Sequence, residues 1–257
     1  MGPDLYFNTS YLLPDLKAQI ASYLTSTTTV ATSGITFFIF SIGFWDIYSL
    51  ASLSLDVSQV AINLCFEEIL QHIRRLYEKN HSADRNLGAT LKTNQWQDIR
   101  VIIPKVLDPT FSPGWLSQRP VPPKPSTIAE QQKNAVYLTE RWNQKLEALS
   151  SSWVTTQSSI FPENFQVNKT LNDVNNSIFI PDFPKLFQNL TLDNLTLKSI
   201  NEPCVQLKTS NERHGLKIFD PKNLNICSHP DEYLWWDAWR IGAVGNAILG
   251  DARITVP

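Results

Sequence analysis

The run Ile35-Thr-Phe-Phe-Ile-Phe-Ser-Ile42 limits the fold more than any other stretch. It is almost continuously apolar and rich in β-branched and aromatic residues, which predicts a strand buried on both faces, as in a parallel sheet. Asp98-Ile-Arg-Val-Ile-Ile-Pro104 reads as a second such strand and Ser177-Ile-Phe-Ile180 as a short third. Between them lie two long helical patterns. Asp56 to Tyr77 opens on an N-cap aspartate and carries the stripe Val60, Leu64, Ile69, Ile73 and Leu76. Ser126 to Ser150 carries Ile128, Ala135, Leu138, Trp142, Leu146 and Leu149 on one face, with Ser126 and Glu130 one residue off the capping-box spacing. Strands alternating with helices predict an α/β chain built as a three-layer, parallel-sheet domain over residues 1–257.

The connections are read from their punctuation. Pro14 opens a short helix to Leu24 with Leu16, Ile20 and Leu24 on one side, followed by a Ser/Thr-rich loop over 25–33. Residues 79–96 and 151–176 read as irregular. Residues 105–125 form a Pro-rich loop, long enough to carry a binding surface. A short helix is expected around Lys185–Leu190, a loop from Cys204 to Cys227, and a closing helix from about Ile241 to Ala252. Gly43-Phe-Trp-Asp46 falls at the carboxyl end of the first strand, where α/β sheets place their sites.

Composition narrows the partners. A net charge of -2 leaves no basic excess for nucleic acid. The apolar run Ile35–Tyr48 is too short to span a membrane. Nothing implies a cofactor, and three scattered cysteines do not match a zinc pattern. Met1 to Phe7 has neither the charged nor the apolar segment of a signal peptide. Even so, sequons at Asn8, Asn80, Asn168, Asn175, Asn189 and Asn194 make six where composition gives roughly three, which points to the secretory route and a glycoprotein. Cys204 and Cys227, on either side of a polar loop, are expected to form a disulfide; Cys65, in a helical pattern, reads as a buried thiol.

The densest cluster of chemistry-bearing residues is Cys227-Ser-His-Pro-Asp-Glu-Tyr-Leu-Trp-Trp-Asp-Ala-Trp-Arg240, with four aromatics in its last seven residues before Arg240. Cys227, Pro230, Asp231, Tyr233, Leu234, Trp236 and Asp237 stand as in the last block of the GDSL/SGNH hydrolases, and in particular of a fungal group of secreted esterase-like proteins, which this chain resembles over most of residues 34–252. The resemblance implies a flavodoxin-like sheet and hydrolysis of carboxylic or acetyl esters, with glycan esters among the substrates. In that family the aspartate at the position of Asp237 orients a histidine three residues on, and the histidine takes the proton of a serine. Here the histidine position holds Arg240, which stays protonated and cannot act as the base. Gly43 and Asp46 resemble the family's Gly-x-Asn-Asp oxyanion block, but the asparagine position holds Trp45. No Gly-Asp-Ser block is present, and the strands that should precede residue 35 are missing, so the sheet is expected to be incomplete on that side.

Three readings follow: a non-catalytic secreted glycoprotein that binds a glycan or a protein, an esterase whose first strands lie outside this chain, or an enzyme rewired around Asp46 or His229. The bland roles are a turn for Asp46, an ion pair to Asp237 or Asp231 for Arg240, a solvated helix face for His72, a place inside a sequon for His81, a polar loop for His214, and core packing for Trp235, Trp236 and Trp239.

Overall fold

The computed structural model describes residues 15–25, 35–86, 98–160, 178–192, 197–207 and 224–251. Helices and strands mix as the periodicities predict, so the α/β reading holds at that level. In order come α1 (Leu16–Thr25), β1 (Ile35–Ile39), α2 (Phe44–Leu50), α3 (Leu55–Asn86), β2 (Asp98–Ile102), α4 (Pro113–Gln118), α5 (Ile128–Ile160), β3 (Ile178–Phe179), α6 (Phe183–Leu192), β4 (Ser199–Pro203), β5 (Val205–Leu207), β6 (Leu224–Ile226), β7 (Tyr233–Trp235) and α7 (Ala243–Asp251). The strands make a three-stranded sheet of order β1-β2-β3, a parallel pair β4-β7 and an antiparallel pair β5-β6.

The chain clusters into two units: Met1–Phe38 with Asn63–Val101, and Ile39–Ile62 with Ile102–Pro257. In the first, Asp15 caps α1 through a hydrogen bond that its Oδ1 accepts from the Ala18 N–H at 2.7 Å. Ile20 is buried, with Leu16 and Leu24 half-buried on the same face. Tyr23 meets Phe38 edge-on at 5.0 Å.

In the second unit α5 is the spine. Its cap is Thr127 rather than Ser126: the Thr127 hydroxyl accepts the Glu130 N–H at 3.1 Å, which restores the three-residue spacing that the sequence reading missed by one. Ala135, Leu138, Trp142, Leu146 and Leu149 are buried as predicted. Each large side chain among them contributes about 1.5–3 kcal/mol by leaving water. Asn143 then fixes the chain leaving β2: its Oδ1 accepts the Val106 N–H at 2.8 Å and its Nδ2 donates to the Val106 carbonyl at 3.0 Å.

Several expectations are corrected. β1 is not buried on both faces: Phe37 is 54% and Ile39 68% exposed, and among the described residues the strand stands at the end of its sheet's order. On α3 the buried stripe is Ile62, Phe66, Ile69, Ile73 and Leu76, whereas Val60 and Leu64 face solvent. Steps of four and three residues hold one helix face, and Val60 and Leu64 lie off it. His72 lies on the buried side, not on a solvated one. Asp56 sits in the first turn rather than at the cap, where its charge still suits the helix N-terminus. Cys65 is half-buried. α3 runs on to Asn86 and α5 to Ile160, into stretches expected to be irregular, because neither extension contains the Pro or Gly that would stop a helix.

The Pro-rich stretch folds locally into a 3-10 turn, Pro109–Phe111, and then α4, each opened by a proline where a missing N–H costs nothing. The expected loop between Cys204 and Cys227 has strands at both ends, β5 and β6. The disulfide is present, Cα to Cα 4.9 Å. Among the sequons, Asn80 lies in α3 and Asn189 in α6, while Asn8, Asn168, Asn175 and Asn194 lie outside the described residues, as does His214. Among the described residues no helix is long and apolar enough to cross a membrane.

Candidate functional site

The first sequence block builds a turn. Gly43 has φ of 103°, a left-handed value that favours glycine, and a Cβ there would lie 2.5 Å from Trp142 Cε2. Its N–H donates to Asp46 Oδ2 at 3.1 Å, which is the returning half of a capping box for α2. Asp46 therefore holds the turn. Trp45 faces outward, 51% exposed.

The last block builds a second turn, directly after the core. Leu234 and Trp235 of β7 are buried with Phe187, and the Trp235 indole N–H donates to the Ile200 carbonyl at 2.9 Å. Trp235 is thus core, as expected. The chain then folds back, and the Trp236 N–H donates to the Arg240 carbonyl at 2.7 Å. Asp237 organises this turn. Its Oδ1 accepts the N–H groups of Trp239 at 2.9 Å and Arg240 at 2.7 Å, and its Oδ2 accepts Arg240 Nε at 2.5 Å. The ion pair expected of Arg240 is therefore made with Asp237, and Asp231 is exposed. The disulfide ties into the same region: the Cys204 N–H donates to the Trp235 carbonyl and the Cys227 N–H to the Cys204 carbonyl, both at 2.9 Å.

The two turns meet through rings. Trp239 lies 5.0 Å from Trp45, 5.1 Å from Tyr48 and 6.2 Å from Phe44 between centroids, and Tyr48 lies 5.7 Å from Trp115. The Phe44 and Tyr48 contacts with Trp239 and the Tyr48–Trp115 contact are edge-to-face, the arrangement that aligns ring edges with ring faces. The Pro-rich segment completes the cluster. Gly114 donates its N–H to the Ala238 carbonyl at 2.7 Å, and a Cβ on it would collide with the Trp239 indole. Gln118 accepts the Trp239 Nε1–H at 2.6 Å.

Arg119 closes the inner end. It is buried, its guanidinium carbon 4.0 Å from the Trp115 ring centroid and 4.5 Å from that of Tyr48. It donates to Gln131 Oε1 and to the Tyr48 carbonyl. Burial pulls the guanidinium below its ordinary value and pushes the Tyr48 phenol up; Arg119 remains a cation held by rings and neutral acceptors. Sequence reasoning did not single out Tyr48, Trp115 or Arg119: Trp115 and Arg119 are four residues apart, but Tyr48, which joins them, lies more than sixty residues earlier.

Gly43, Trp45, Asp46, Asp237 and Arg240 are thus gathered at one corner of the second unit. Among the described residues, no serine or histidine hydrogen-bonds with Asp237. His229 is exposed and begins the 3-10 turn Pro230–Glu232. Among the described residues two serines are buried, and they give their hydroxyls to backbone carbonyls: Ser58 to Leu50 at 2.8 Å and Ser112 to Pro109 at 2.6 Å. Burial raises the Asp108 carboxyl above its usual value, while its Oδ1 accepts the Thr110 N–H at 2.8 Å to cap the turn. A second charged group, Lys105 with Glu147 at 2.6 Å and Asp182 at 2.8 Å, links the ends of β2 and β3 to α5.

Compared with known proteins, the chain matches no family model and no curated sequence.

Proposed function

We propose that the chain is a non-catalytic relative of the SGNH/GDSL ester hydrolases, a secreted glycoprotein whose old catalytic corner now serves as a fold-holding cluster and a recognition surface. Asp237 carries this reading. The carboxylate that would orient a catalytic histidine instead accepts two backbone N–H groups and a guanidinium, so both oxygens are engaged by its own turn and by a permanent cation. Trp45, at the oxyanion-asparagine position, packs on Trp239 rather than offering a donor to a pocket. The mixture of helix and strand and the β4-β7 parallel pair support kinship with a three-layer sheet domain. The disulfide supports an oxidising, extracellular setting.

One observation favours binding over a purely structural role. Trp45 keeps half its surface in water although its neighbours Tyr48 and Trp239 bury most of theirs, and the exposed Arg240 lies in the same turn as Trp239. A fixed ring with charged groups nearby suits the apolar face and hydroxyls of a sugar. A fluorophosphonate probe, which labels activated serines, separates the readings. The proposal expects no labelling above a denatured control; stoichiometric labelling at one serine would show that a nucleophile is present and overturn it.

A further inference from the structure

We draw no further inference here: the strongest candidate, the exposed apolar face that Leu53 and the α3 residues Val57 and Val60 present beside Val136 and Tyr137 of α5, is unpartnered and nothing in the structure shows what covers it.

Discussion

Arg240 Nε lies 2.5 Å from Asp237 Oδ2, while Asp237 Oδ1 holds the turn's own N–H groups. The two halves of this arrangement carry unequal weight. The Arg240 side chain is 68% exposed against 21% for Asp237, so the ion pair is screened and worth below ~1 kcal/mol. Oδ1 accepts two backbone N–H groups, of which the bond from Trp239 is part-buried, and each such bond contributes about 0.5–1.5 kcal/mol. Urea denaturation is therefore expected to show Asp237→Ala clearly destabilised and Arg240→Ala nearly unchanged. Equal losses would mean that the ion pair, not the turn, is the stabilising element.

The Cys204–Cys227 bond spans a sequence separation of 23. On the chain-entropy account a loop of this order stabilises the fold by ~3 kcal/mol. Reduction, verified by thiol counting, is expected to lower the thermal midpoint and to shift near-UV circular dichroism from the Trp235–Trp239 region. An unchanged midpoint after complete reduction would show that the β5-β6 pairing holds alone.

Gly114 and Trp239 share one space. Gly114→Ala is expected to cost about 1–3 kcal/mol by displacing the indole. In a Trp239→Ala background the same change should cost much less, a coupling of about 0.5–3 kcal/mol in a double-mutant cycle. Additive losses would place the strain elsewhere.

The Lys105 cluster predicts a pH dependence with a definite sign. Burial opposes ionisation of both partners, yet the Lys105 hydrogen bond and charge hold Asp182 below its usual value, and Asp182 and Glu147 raise Lys105. A depressed carboxyl contributes stability that is present above the ordinary aspartate value of about 3.9 and is lost as pH falls through its folded value. A raised lysine contributes stability that is present below the ordinary value of about 10.4 and is lost as pH rises beyond it. Lys105→Met is expected to flatten the acid limb of the stability profile as well as the alkaline one. An unchanged acid limb would mean that Asp182 is held by the Lys185 N–H alone.

How much was legible follows from the range of each signal. The α5 stripe was read from its local period, with Ile128 half-buried and the other five positions buried, and the pairing of Cys204 with Cys227 from their places on either side of one polar loop. The exposed faces of Phe37, Ile39, Val60 and Leu64 were not, because an apolar residue does not announce whether anything covers it. Thr127 was missed by one position, within the usual uncertainty of helix ends. At the candidate site, the Arg240–Asp237 pair was legible three residues apart. The packing of Trp45 and Tyr48 on Trp239, and of Trp115 and Arg119 on Tyr48, was not, because it depends on a tertiary meeting of three separate segments.

The central claim is that this corner no longer performs triad chemistry. The most direct measurement is hydrolysis of p-nitrophenyl acetate and acetylated xylan by the purified chain, beside Asp237→Ala and Arg240→His. The account predicts background rates for all three, since on that account Arg240→His gains no activated serine from which to take a proton. Turnover well above background in the parent chain that disappears in Asp237→Ala, with the fold intact by circular dichroism, would contradict it.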